Sequence, residues 1–114
     1  MIHAQDLATL HTYAQGVMKR SHCHAKNVEN IALALLGGVI WRHKPGTVHV
    51  RSHNGSTANI LWWTSKMTGS NFALAYNHNS DEIELRNRSL SGSVLHTFTN
   101  ATPLVDVLRT FETL

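Results

Sequence analysis

Apolar residues in the first third of the chain recur at spacings of three and four. Leu7, Leu10, Ala14 and Val17 make one stripe, which Tyr13 and Met18 widen. That period predicts an amphipathic helix. Asp6 near its start and Lys19-Arg20 near its end suit the helix dipole. Gly16 weakens it by about 1 kcal/mol relative to alanine. A second helix is predicted from about Ser21 to Ile40, with Ser21 as its cap. Val28, Ile31, Ala32, Leu35 and Val39 form its main stripe, and Leu33, Leu36 and Ile40 place apolar residues on the other faces. A helix apolar nearly all round is expected to be buried in a core or an interface. Gly37-Gly38 leaves two readings of Val39–His43. The helix ends and a strand begins, or the glycines allow close backbone approach within a continuing helix. Val39-Ile40-Trp41 does not alternate, which favours the second.

The middle of the chain has strand periodicity. "TVHVRSH" sets Val48 and Val50 on one face and His49, Arg51 and His53 on the other. Asn54-Gly55 follows, a strong hairpin signal. "NILWWTS" is apolar on both faces and predicts a doubly covered strand. After "MTGS", "NFALAYN" alternates Phe72, Leu74 and Tyr76 with Ala73 and Ala75. The row of small residues predicts a surface on which a helix lies closely. "EIELR" turns Ile83 and Leu85 inward and Glu82, Glu84 and Arg86 outward, and "VLHTFTN" is a last strand. Thr102 at the N-cap and Pro103 at the first helical position predict a final helix, with Leu104, Val107, Leu108 and Phe111 as its stripe. The expected fold is a single α+β domain over residues 1–114. It has two N-terminal helices, an antiparallel sheet of four to five strands in a meander, and a C-terminal helix.

Composition sharpens this picture. Hydrophobic residues are 42% of the 114, but charged ones only 15%, against a usual ~25%. So apolar a chain is expected to self-associate as a homo-oligomer. The net charge is +3. The basic residues are scattered along the chain (Lys19-Arg20, Lys26, Arg42, Lys44, Arg51, Lys66, Arg86, Arg88, Arg109). That scatter argues against a nucleic-acid stripe. Nine histidines would make the charge climb on mild acidification. One cysteine excludes an intramolecular disulfide and favours a reducing compartment. The N-terminus has no signal-peptide pattern, and the longest apolar run, "IALALLGGVIW", is 11 residues, too short to span a bilayer. These features point to the cytoplasm and away from a membrane. The triplets at Asn54, Asn87 and Asn100 then read as turn and cap chemistry.

Candidate chemistry is sparse. His22 and His24 flank Cys23 in "SHCHAKN". On a helix they stand about 200° apart and cannot chelate one ion together. A helix N-terminus lowers a thiol pKa, but no cysteine-enzyme motif surrounds Cys23, so no metal and no catalytic residue is assigned. His49, Arg51 and His53 on one strand and Glu82, Glu84 and Arg86 on another are expected to form cross-strand pairs if adjacent. Trp62 and Trp63 must face opposite ways in a regular strand, so one needs a covering helix, a ligand or another subunit. Tyr76, Asn77, His78 and His96 supply groups that would either line a small pocket or satisfy turns and buried backbone groups. Phosphate-loop, dinucleotide and hydrolase motifs are absent from the sequence, and no cofactor is expected.

The order "HCHAKNVENIALALLGGVIWR", "NILWW", "FALAYNH…EIELR" and "VLHTFTNAT" before a short final helix resembles the small proteins carried on integron gene cassettes. The resemblance covers about His22 to Leu114. It implies an α+β fold with oligomeric members, in a bacterial cytoplasmic setting on mobile DNA, and brings no catalytic residue with it. The leading expectation is a small oligomeric module binding a small ligand or partner protein through Trp62, Trp63, Tyr76, His78 and His96. One alternative is a hydrolytic enzyme with His78 or His96 as base. Another is a nucleic-acid module using Arg42, Lys44, Arg51 and the histidines.

Overall fold

The computed structural model describes residues 8, 11–12, 14–19, 26–53, 56–89 and 91–114, and of residues 26, 50–53 and 56–59 the backbone alone. Residues 8, 11–12 and 14–19 are helical and make up α1. A 3-10 turn, Lys26–Val28, leads into α2 (Glu29–Arg42). Five strands follow: β1 (His49–His53), β2 (Ser56–Thr64), β3 (Asn71–Asn77), β4 (Glu82–Asn87) and β5 (Val94–Phe98). The last element is α3 (Leu104–Glu112). The strands form one antiparallel sheet in the order β1-β2-β3-β4-β5. This is the predicted α+β meander, because each short turn returns the chain beside the strand it has just left.

Register sets which face is the core. Leu61, Leu74, Leu85 and His96 lie in one cross-strand row, and Trp63 pairs with Phe72 beside it. Leu61, Trp63, Phe72, Leu74, Leu85 and Phe98 are buried together with Val28, Ile31, Leu35, Leu36 and Val39 of the helical layer and Val107, Phe111 and Leu114 from the C-terminal segment. Ala14 and Val17 of α1 pack against the same core. As expected, Leu85 is buried and Ile83 packs on the core, while Glu82, Glu84 and Arg86 alternate to the other face.

The expectation for the alanine row is reversed. Ala73 and Ala75 occupy the face opposite the Phe72 and Leu74 row that meets the helices. Ala73 lies between Trp62 and Arg86, and Ala75 between Ile60 and Glu84. Each is therefore the floor of a trough between longer side chains. The helices follow the larger apolar area on the other face, whose burial is worth more.

α2 runs through Gly37-Gly38 to Arg42 without a break, settling Val39–His43 as helix followed by an extended residue. A Cβ at Gly38 would lie 2.7 Å from the Phe111 ring, so the glycine lets α3 sit directly on α2. His43 ends the helix. Its backbone N–H donates to Val39 O at 2.9 Å, and its ring Nδ1 lies 2.9 Å from the same carbonyl. The turn Lys44-Pro45-Gly46-Thr47 follows, with Gly46 at φ 80° and Thr47 N–H on Lys44 O, the chemistry of a type II turn.

Several local expectations differ. α-Helical geometry begins at Glu29, after the 3-10 turn, and Val28 at its N-cap makes no side-chain cap. The predicted cap Ser21 lies outside the described residues, as do Asp6, Leu7, Leu10, Tyr13, Arg20 and the Asn54-Gly55 turn. The side-chain carbonyl of Asn100, from the β5–α3 loop, accepts the Asn30 and Ile31 backbone N–H groups at 2.9 and 3.1 Å. Tertiary contact thus supplies the cap that the local sequence does not. Thr102 does not cap α3, which starts at Leu104 with Pro103 as N-cap; its hydroxyl instead accepts Thr99 N–H at 3.0 Å. β1 and β4 are not neighbours, so His49, Arg51 and His53 form no cross-strand pairs with Glu82, Glu84 and Arg86.

Candidate functional site

The helical layer is not sealed. Leu33 is 60% exposed, and Ile40 and Trp41 are also exposed, on the side of α2 away from its buried stripe. Positions 33, 37, 40 and 41 fall on one helical side. The expectation that α2 is buried all round therefore fails for this side, although Leu36 is buried as predicted. α3 does the same. Val107 and Phe111 enter the core, but Leu104 is 69% exposed, and Val105 and Leu108 are exposed with it. The core face of the sheet takes one side of each of these helices, and their other apolar positions stay outside it.

The two adjacent tryptophans of β2 separate as strand geometry requires. Trp63 is 1% exposed and packs with Phe72 and Phe111, at ring-centroid distances of 5.6 and 6.0 Å. Its side chain serves the core, and its indole N–H is enclosed without an acceptor among the described residues. Trp62 is half-buried on the opposite face, between His49 and Ala73 in register. Trp41 is 50% exposed, with the Arg42 guanidinium 5.1 Å from its ring centroid.

Tyr76 and His78 meet at the β3–β4 hairpin, edge to face with centroids 4.7 Å apart. The Tyr76 hydroxyl donates to Asp81 Oδ1 at 2.9 Å. Burial first, and then the Asp81 carboxylate, raise the Tyr76 pKa above the ordinary phenol value. Asn77 Oδ1 accepts the Asn79 and Ser80 N–H groups and shapes the turn. Asp81 takes φ 55°, a conformation aspartate tolerates better than most residues, and Asn27 Nδ2 donates to its carbonyl. The hairpin is thereby tied to the start of α2.

His96 is apart from this group. It stacks on Phe98 at 4.5 Å, and its Nδ1 lies 2.9 Å from Thr97 O. The five residues singled out from the sequence are thus distributed over the core, the opposite sheet face, a hairpin tip and β5. Of the five, Tyr76 and His78 are the pair whose side-chain rings meet.

On the face bearing Ala73 and Ala75, Arg86 donates to Glu84 Oε1 through Nη2 at 2.9 Å and Nε at 3.2 Å. Asn77 Nδ2 approaches Glu84 Oε2 at 3.3 Å. The Arg86 hydrogen bonds hold the Glu84 carboxyl below its usual pKa, partly opposed by burial, with smaller support from Asn77. A same-strand pair thus satisfies the charges expected to pair with β1.

Among the described residues no three His, Cys, Asp or Glu side chains converge as metal ligands, and no helix is long and apolar enough to cross a membrane. His22, Cys23 and His24 lie outside the described residues. The exposed side of α2 was not legible in the sequence, because a helix apolar on every face gives no sign of which part the core leaves uncovered.

No curated protein matches the chain. A family model described as "Integron cassette protein VCH_CASS1 chain" matches residues 10–109, nearly the whole fold from α1 into α3. With the predicted α+β meander observed, the chain belongs to this integron cassette protein family.

Proposed function

We propose that this protein is a self-associating binding module of the bacterial cytoplasm rather than an enzyme, with the outer surfaces of α2 and α3 as its contact. The observation that carries this reading is the exposure of Leu33, Ile40 and Trp41 on one side of α2, and of Leu104, Val105 and Leu108 on α3. Monomers rarely keep large apolar patches in water, and aromatic anchors are enriched in interface cores. Of the residues singled out for a ligand or partner, Tyr76 and His78 at the β3–β4 hairpin meet, and a small ligand or partner protein would be met there, apart from Trp62 and His96. The non-enzymatic part rests on the histidines. His78 rests against the Tyr76 ring, and His96 is stacked on Phe98 with its Nδ1 on the Thr97 carbonyl, so the two histidines serve separate local contacts rather than one shared site.

Sedimentation velocity at tens of micromolar tests the assembly. The protein is expected to sediment as a dimer or larger, and Leu33→Glu with Ile40→Glu to sediment as one chain while keeping its circular dichroism. A parent protein that sediments as a single chain rejects the reading.

A further inference from the structure

The basic residues are scattered in sequence, but the fold gathers four of them at one end of the sheet. Lys66 N–H donates to Arg42 O at 2.9 Å, and Lys44 N–H to Thr64 O at 2.8 Å. His43 bridges Ser65, which fixes the end of α2 against the end of β2. Thr64 pairs with Asn71, and Asn71 O accepts Arg88 N–H at 2.9 Å. Arg42, Lys44, Lys66 and Arg88 are therefore attached to the same edge of the fold, at the β2–β3 turn.

Four acidic residues collect at the other end. Asp81 and Glu82 lie at the β3–β4 turn, Glu29 opens α2, and Asp106 is in the first turn of α3. Asn27 joins these pieces, through its side chain to Asp81 O and through its carbonyl to Asn100 N–H. Both helices start at this acidic end. α2 reaches the basic end with Arg42, whose Nη2 donates to Glu112 O at the close of α3. Among the described residues Glu112 is the acidic one at the basic end, and the Lys26 backbone lies at the acidic one.

Helix dipoles account for the residues in the helical turns. They do not account for Lys44, Lys66 and Arg88, which sit in turns, are exposed, and have no carboxylate partner among the described residues. Arg88 also holds φ 70°, an uncommon conformation for a side-chain-bearing residue. Half-exposed Trp41 stands beside Arg42 at this same end. A cation cluster with an accessible aromatic ring is the pairing that single-stranded nucleic acid uses, phosphates on the cations and a base on the ring.

The geometry points to a contact site for single-stranded nucleic acid at the β2–β3 end, with Lys44, Lys66 and Arg88 on phosphates and Trp41 against a base. It shares Trp41 with the apolar side of α2, but none of the three cations belongs to that surface, so the triple cation variant and the salt slope test it apart from the self-association reading.

Fluorescence anisotropy with a labelled oligothymidylate tests it. About three phosphate contacts at a slope of ~0.7 each predict a roughly twenty-fold loss of affinity between 50 and 200 mM salt. The triple variant Lys44→Gln, Lys66→Gln, Arg88→Asn is expected to lose binding, and Trp41→Ala to weaken it about ten-fold. Asparagine is chosen at position 88 because it tolerates positive φ. Circular dichroism and sedimentation of the triple variant should match the parent. No binding at 50 mM salt, binding indifferent to salt, or binding retained in a folded triple variant overturns the proposal. So does full affinity in Trp41→Ala with equal displacement by heparin, which would mark a generic polyanion surface. Should the triple variant not fold, the salt slope of the parent and the Trp41→Ala affinity decide.

Discussion

Gly38 of α2 lies against the ring of Phe111 in α3, so closely that a Cβ at position 38 would stand 2.7 Å from the ring carbons Cδ2 and Cε2. Phe111 in turn stacks on Trp63 of β2. One missing side chain thus allows a helix, an aromatic ring and the sheet to stack as consecutive layers.

The neighbouring glycines should respond in opposite directions. Gly38→Ala gains helix propensity of about 1 kcal/mol, but overpacking typically costs about 1–3 kcal/mol. A net loss is expected in urea denaturation, recovered when Phe111→Leu is added. A methyl group placed on Gly37 would meet nothing within 4 Å. Gly37→Ala should stabilise the fold by up to about 1 kcal/mol. A Gly38→Ala protein as stable as Gly37→Ala would refute the close packing.

Asn100 is expected to matter far beyond its loop. Asn100→Ala removes the acceptor of the Asn30 and Ile31 N–H groups. Loss of a cap costs about 1 kcal/mol, up to ~2. Asn100→Asp keeps an acceptor at the positive end of α2 and should retain most of the stability. Hydrogen exchange of the first turn of α2 should rise in Asn100→Ala and not in Asn100→Asp.

The Glu84–Arg86 pair predicts a pH effect with a definite sign. The folded pKa of Glu84 is lowered, chiefly by its hydrogen bonds from Arg86. Its contribution is therefore complete above the unfolded value near ~4.3 and is lost as pH falls through the folded value. Glu84→Gln should be less stable than the parent at pH 7, by about 0.5 kcal/mol for a pair partly in water. The difference should narrow in denaturation curves as pH falls below the unfolded value and close only below the folded one. A gap that persists there would mean that the loss is steric rather than ionic.

Trp63 carries a buried N–H without an acceptor among the described residues. Trp63→Phe loses apolar contact but also removes that unpaired donor, whose burial costs about 1–3 kcal/mol. Its net cost should stay well below the ~3–5 kcal/mol expected for Trp63→Ala. Equal losses in thermal melts would indicate that the indole N–H is satisfied in solution.

Periodicity along the chain was enough to order the elements and to name most of the core. Strand period two places Leu85 and Ile83 inward, and helical period places Val28, Ile31, Leu35 and Val39 in one buried stripe, because these repeats follow from backbone geometry alone. The continuing helix through Gly37-Gly38 was also legible, since Val39-Ile40-Trp41 does not alternate. Packing in three dimensions resolved what local pattern leaves degenerate. It chose the Phe72 and Leu74 face over the alanine row for the helices, because the larger apolar side chains offer more area to bury. It drew the α2 cap from Asn100, seventy positions from Asn30, and no local rule reaches that far. It left Leu33, Ile40 and Leu104 outside, because the core face of the sheet was already filled by the opposite sides of the same helices. It also brought Arg42, Lys44, Lys66 and Arg88 to one end, through turns whose meeting depends on strand order rather than on any spacing along the chain.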